Sequence, residues 1–209
     1  MDCWAIIPVK PLGAGKSRLA AVLGVEQRAA LNKHLFGCVL NATLGVFKPD
    51  RVAIVTADPL LLPLMRGQGL HGLEDTGAGL NAALGLACRH ATKRGARGIV
   101  ILPSDLHHVT ADDVAALLAA LGPSLGPSPR CAIAPDGQEE GTNALALTPP
   151  QPDFFRFGPQ SFQAHIEAAK TRGIPVRILR RPNLAHDLDT PDEYRRFAKD
   201  QLARSGALA

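Results

Sequence analysis

The 209-residue chain is 46% hydrophobic and 20% charged, enough to bury a full core and to make one soluble domain. Its net charge of +4 comes from scattered Lys and Arg, and seven Phe, one Trp and one Tyr offer few stacking platforms, which argues against a nucleic-acid partner. Cys3, Cys38, Cys88 and Cys131 form no Cys-x-x-Cys pair and no zinc-ligand spacing, and no apolar run reaches membrane-spanning length; buried thiols in a reducing cytoplasm are expected.

In chain order, Trp4 to Val9 is a short apolar run ending at Pro11, the pattern of a strand buried on both faces. Ser17 is positioned to cap a helix from Arg18 to about Phe36. Residues 51 to 56 form a second β-branched run, and Asp58-Pro59 then marks a helix start. A helix from Leu80 to Arg94, a strand from Gly98 to Leu102 and a helix from Ala111 to Leu121 follow. Next come strands near Cys131 to Ala134 and Asn143 to Leu147, a helix from Pro159 to Arg172, a strand from Pro175 to Leu179, and a last helix from Pro191 to about Ala203. This alternation predicts an α/β fold: a single domain with a mostly parallel central sheet flanked by helices. The Pro/Gly/Ser-rich stretch at 123–130 reads as a loop within that domain, and 149–158, with Phe154, Phe155 and Phe157, as an excursion from the sheet.

Ligands of open α/β sheets sit beyond the carboxyl ends of the strands, so the residues after each strand come first. The opening turn, VKPLGAGKSRLA, imitates a P-loop. Walker spacing requires glycine at position 10, which is Lys10, so that assignment fails. What remains is a turn in which Gly13 and Gly15 let backbone amides approach a phosphate while Lys10, Lys16 and Arg18 supply charge. In EDTGAGLNAAL, residues 74 to 84, Gly77 and Gly79 open a helix, and Asn81 has the paired donor and acceptor that match a purine edge. Both turns also suit a purely structural role.

In ILPSDLHHV, Asp105 follows a buried strand, where its carboxylate faces the cleft and can hold a hard cation. The adjacent His107 and His108 read as solvated loop residues. EEGTNAL contributes Gly141, Thr142 and Asn143. FRFGPQSFQAH contributes Gly158, Pro159 and Ser161 at a helix start, so the two turns together suit an anionic second substrate. In HDLDTPDEY, Asp187 and Asp189 lie two apart, on one face of an extended segment, and repel each other unless a cation relieves them. Thr190 and Glu193 form a capping box, a local alternative that accounts for Asp189 but not for Asp187. Magnesium on Asp105, Asp187 and Asp189, with lysines on phosphates, is equipment for displacement at phosphorus.

The motifs PVKPLGAGKSRLA, TGAGLNAAL, LPSDL, EGTNAL, FGPQSF with His165, and DLDTP occur in this order over essentially the whole chain. Together they resemble the CofC/FbiD guanylyltransferases of coenzyme F-420 biosynthesis. The resemblance implies a nucleotidyltransferase fold, related to the GT-A glycosyltransferases and the molybdenum-cofactor guanylyltransferases. It implies GTP, Mg2+ and an acceptor that is 2-phospho-L-lactate, phosphoenolpyruvate or 3-phospho-D-glycerate. Lys10, Gly13, Gly15, Lys16 and Arg18 are then implied at the triphosphate, Gly79 and Asn81 near guanine, and Asp105, Asp187 and Asp189 on the metal. Thr142, Gly158 and Ser161 are implied at the acceptor phosphate, with Lys16, Asp105 and Asp189 as catalytic residues. Family members often carry alanines where this opening turn has Gly13 and Gly15. A homodimer is left open. The competing readings are another nucleotidyltransferase of the same fold, acting on a molybdopterin or a sugar phosphate, and a nucleotide-binding regulatory domain without turnover.

Overall fold

The computed structural model describes residues 2–122, 125 and 128–206, with side chains to residue 199. The predicted loop at 123–130 falls partly outside the described residues.

Seven strands form one sheet in the order β3-β2-β1-β4-β6-β5-β7. They are β1 (Cys3–Val9), β2 (Val52–Thr56), β3 (His71–Glu74), β4 (Gly98–Ile101), β5 (Arg130–Pro135), β6 (Thr142–Thr148) and β7 (Val176–Ile178). The helices are α1 (Val25–Leu44), α2 (Leu61–Gly67), α3 (Leu80–Lys93), α4 (Ala111–Ala120), α5 (Ser161–Thr171) and α6 (Pro191–Gly206). The expected parallel sheet is present, with β6 running antiparallel to both β4 and β5.

Alternation along each central strand divides the core in two, because successive side chains point to opposite faces. Cys3, Ala5, Ile7 and Val9 of β1 join Val52, Ile54 and Val100 in packing against α1, α2 and α4. Trp4 and Ile6 join Ala53, Val55, Ile99 and Ile101 in packing against α3 and α5. The excursion after β6 belongs to this second face, where Phe154 and Phe155 are buried beside α3 and α5.

Two elements differ from the sequence expectation. The helix predicted from Arg18 begins at Val25; residues Ser17–Leu19 form a single 3-10 turn instead. Gly24 is the break, and its amide donates to Gln27 Oε1 at 2.8 Å to open α1. The apolar spacing misled because Leu19 and Leu23, from the turn, pack with Leu31 and Leu35, from the helix, in one cluster against Phe197 of α6. Strand β3 was not anticipated, since HGLE is short and half polar. It is made by pairing with β2 and by Arg66 of α2, whose guanidinium donates twice to Gly72 O at 3.1 and 2.9 Å.

Candidate active site

A cavity of about 370 Å³ opens at the carboxyl edge of β1, β3 and β4. Lys10, Gly15 and Lys16 line it from the opening turn, Gly79 from the start of α3, Asp105 from the end of β4, and Asp189 from the segment before α6.

The opening turn is held at one residue from both sides. Leu12 N donates to Asp58 Oδ2 at 3.2 Å, and Leu12 O accepts from Asn32 Nδ2 at 2.8 Å. A Cβ at 15 would lie 2.7 Å from Asn32 Nδ2, so an alanine there would require the Asn32 side chain to move; at Gly13 a Cβ would meet nothing within 4 Å. Lys16 takes a left-handed backbone, φ 60 and ψ 40, a strained conformation for a residue with a Cβ. Its buried side chain then reaches between two acids, with Nζ 2.8 Å from Asp105 Oδ2 and 2.7 Å from Asp189 Oδ1. Arg18 Nη1 lies 3.8 Å from Asp189 Oδ2, with its side chain 75% exposed. Lys10 is exposed at the rim.

Ligand oxygens of Asp105, Asp187 and Asp189 lie within 4.8 Å of one another. The placement of the last two follows from Leu188 between them, which is buried among Leu19, Leu35 and Phe197, so alternation turns both carboxylates the other way. The Thr190 to Glu193 capping box forms as expected: Glu193 Oε2 accepts from Asp189 N and Thr190 N at 2.8 and 2.7 Å. Burial, then the charges of Asp105 and Asp189, pushes Asp187 up to about 6. Burial also works against charge on Lys16 and Asp189, but the carboxylates of Asp105 and Asp189 together raise Lys16, and Lys16, with Arg18 and Lys10, lowers Asp189. One ammonium therefore leaves the trio short of positive charge, and hard oxygens gathered in this way suit a small divalent cation.

The other expected residues form a second cluster at the same edge of the sheet. Because β6 runs backwards, its first residue, Thr142, lies at the edge where β4 ends, next to the strand that carries Asp105. Thr142 N donates to Ser161 Oγ at 2.9 Å, and both residues are buried. His165, 0% exposed, has Nε2 2.9 Å from Arg156 N and Nδ1 3.0 Å from Thr142 Oγ1. Burial pulls its pKa down to about 4, so the ring is neutral near pH 7. Its Nε2 accepts from Arg156, which puts the ring proton on Nδ1, facing Thr142 Oγ1. The Thr142 hydroxyl thereby receives one bond and keeps its own proton to donate. Gly158, at φ 140, precedes this helix start. Asn81, expected near a purine edge, instead exchanges two hydrogen bonds with the Phe157 peptide, at 3.0 and 2.8 Å. It joins the start of α3 to the second cluster because its amide pairs with both the N–H and the C=O of Phe157.

The sequence reading missed Asn32, Asp75 and Asp113, and for Asp58 it saw the helix start, where Oδ1 accepts from Leu60 N at 3.0 Å, but not the bond from Leu12. Asp113 caps α4 with Thr110 and, 1% exposed at its side chain, also receives Arg181 Nε and, at 3.0 Å, Asn183 Nδ2. Hydrogen bonds from Thr110, Arg181 and Asn183 overcome burial and hold its carboxyl below the usual range. This anchors the segment that leads into Asp187 and Asp189. Thr110-x-x-Asp113 is a legible capping signal; the contact with Arg181 had none.

The sequence model of CofC-like guanylyl transferases matches residues 3–197. The chain belongs to this family. The phosphoenolpyruvate guanylyltransferase of Rubrobacter xylanophilus is 44% identical over 94% of this chain and 94% of its own. That of Sphaerobacter thermophilus is 40% identical over 95% and 93%. A more distant member, the 3-phospho-D-glycerate guanylyltransferase of Colwellia psychrerythraea, is 30% identical over 92% and 90%. Among solved structures, a nucleotide-diphospho-sugar transferase from Desulfovibrio desulfuricans G20 superposes with a TM-score of 0.74 at 20% identity, covering 90% of this chain and 83% of that one. Family and fold agree, and the protein is a nucleotidyltransferase. Among the described residues, no helix is long and apolar enough to cross a membrane.

Proposed function

We propose that the protein transfers GMP from GTP to phosphoenolpyruvate with release of pyrophosphate, as a step of coenzyme F-420 biosynthesis in the cytoplasm, acting as one nucleotidyltransferase domain. The observation that carries this reading is the meeting of Asp105, Asp187 and Asp189 around Lys16 at the mouth of the cavity. The names of the 44% and 40% identical relatives support the acceptor.

In this reading Lys10, Gly13, Gly15, Lys16 and Arg18 serve the triphosphate, and Gly79 the nucleoside end of the cavity, with Asn81 fixing the start of α3 on Phe157. Thr142, Gly158 and Ser161 serve the acceptor phosphate, with His165 holding Thr142 as a hydroxyl donor. The acid trio fits magnesium, which when bound would supply positive charge to the phosphate oxygens. An acceptor phosphate oxygen forms a bond to the α-phosphorus of GTP, and the bond from that phosphorus to the bridging oxygen breaks, so pyrophosphate leaves. A phosphate monoester is anionic near neutral pH, so no protein base is required. The residues act by positioning and by neutralising charge.

The test is pyrophosphate release from GTP and magnesium with phosphoenolpyruvate, 2-phospho-L-lactate, 3-phospho-D-glycerate and a sugar phosphate side by side. Phosphoenolpyruvate should be turned over fastest. Release with the sugar phosphate alone would sink the proposal, and GTP binding without turnover for any acceptor would favour the regulatory-domain reading.

A further inference from the structure

The cavity contains one carboxylate that the acid trio does not explain. Asp75 follows β3 and lines the cavity with Asp105 and Asp189. Those two are neutralised by Lys16, whereas Asp75 makes no ion pair among the described residues. Its carboxylate is nevertheless fixed. The amide of Asp75 donates to Thr56 O at 2.9 Å, continuing the β2 to β3 pairing, and Oδ1 accepts from Gly77 N at 3.0 Å. Oδ2 has no partner among the described residues.

A negative group in a cavity meant for a polyanion is repulsive unless it stands away from the phosphates and meets hydrogen-bond donors. Asp75 satisfies the first condition. Strand β3 is three positions from β4 in the sheet, about 14 Å at the usual strand spacing. That puts Asp75 at the far end of the cavity from Asp105. Around it the walls suit a flat ring. Gly77 and Gly79 have φ of 80 and 94 and no atom within 4 Å of a Cβ position, and Val55, Leu80 and Ala83 add apolar surface.

The second condition selects the ring. Guanine presents N1–H and the 2-amino group side by side, two donors matching the two oxygens of a carboxylate. Adenine and cytosine place a ring-nitrogen acceptor at the corresponding position, which a carboxylate repels. We propose that Asp75 selects guanine, its carboxylate receiving N1–H and the 2-amino group while Gly77 N holds it in register. This rests on the GTP-dependent function proposed above and names the residue that enforces the choice of base.

Asp75→Asn tests it. The amide oxygen can keep the bond from Gly77 N, which turns the NH2 toward the base, where it opposes the donors of guanine and matches the 2-oxo group of xanthine. Binding of GTP, ITP, XTP and ATP is measured by calorimetry with magnesium in both proteins, with thermal unfolding to verify that the variant is folded. Wild type should bind GTP roughly tenfold or more tighter than ITP, which lacks the 2-amino group. The variant should lose GTP affinity on the order of 100-fold, lose the preference over ITP, and gain affinity for XTP. Unchanged GTP, ITP and XTP ratios in the variant would overturn the role of Asp75 and leave the transferase reading standing. Guanine-selective binding lost in the variant, with no pyrophosphate released for any acceptor, would sustain Asp75 and sink the transferase reading. A wild type that binds none of the nucleotides, or all four equally, would overturn the role of Asp75.

Discussion

The ammonium of Lys16 lies 2.8 Å from Asp105 Oδ2, joining residues 89 positions apart in the chain and closing the opening turn onto the end of β4. With Asp189 on its other side, this buried cation sits among three carboxylates whose only other ion-pair partner among the described residues is the exposed Arg18, 3.8 Å from Asp189. Lys16→Ala should therefore cost about 1–2 kcal/mol of stability in metal-free protein, less than for a fully buried pair because the two acids left behind are 29% and 39% exposed. Magnesium should restore more stability to the variant than it adds to wild type, while turnover stays at least 100-fold down. Thermal unfolding with and without magnesium, beside the pyrophosphate assay, measures both.

Asp187 is the acid that Lys16 does not contact, and burial together with Asp105 and Asp189 holds its pKa at about 6. Removing its charge should stabilise the metal-free fold. Asp187→Asn is expected to gain about 1 kcal/mol, or roughly 2–4 °C in Tm for a chain of this size, while losing magnesium-dependent activity. A variant with lowered Tm and full activity would contradict the assignment of Asp187 to the metal.

Gly15 and Asn32 should behave as a coupled pair. A Cβ at 15 would displace the Asn32 amide that holds Leu12 O, so Gly15→Ala and Asn32→Ala each disturb the same contact. Each alone should cost about 1 kcal/mol and raise the KM for GTP, and the double variant should cost little more than Asn32→Ala. Additive losses would show that the two positions act separately.

Stability should fall with acid before ordinary carboxylates titrate. Burial lowers His165 to about 4; burial, then the charge of Arg94, does the same for His90. Both are therefore protonated more readily in the unfolded chain, so the stability of their neutral forms is complete above about pH 6.5 and lost as pH falls toward 4. Asp187 acts in the opposite sense, since its raised value adds stability as pH falls from 6. Urea midpoints between pH 7.5 and 4.5 should decline, and the decline should steepen in Asp187→Asn.

Much of the fold was legible because the central strands carry uninterrupted apolar runs and most helices carry a recognisable start. The opening helix was misplaced because Leu19 and Leu23 keep helical spacing while belonging to a turn, and only their packing against Phe197 distinguishes the cases. The acid trio was legible because Asp105 follows a strand and Leu188 separates two acids with opposite orientation. The roles of Asn32 and Asp58 on Leu12 and of Asp113 on Arg181 were not, because each partner lies 20 or more positions away and its approach depends on packing rather than on local spacing. The donor and acceptor of Asn81 are legible in the sequence, but their partner, the backbone of Phe157, lies 76 positions away and is not.

The reversed direction of β6 has a consequence for how such a protein can diversify. The cavity's lining comes from residues 8 to 105 together with Asp189, whereas the Thr142, Ser161 and His165 cluster comes from residues 142 to 165. In the proposed function, donor recognition and acceptor recognition thus occupy separate stretches of the sequence, which meet where β4 adjoins β6 and where Asn81 bonds Phe157. Exchanging the later stretch between relatives that differ in acceptor should transplant that preference while leaving the choice of nucleotide untouched.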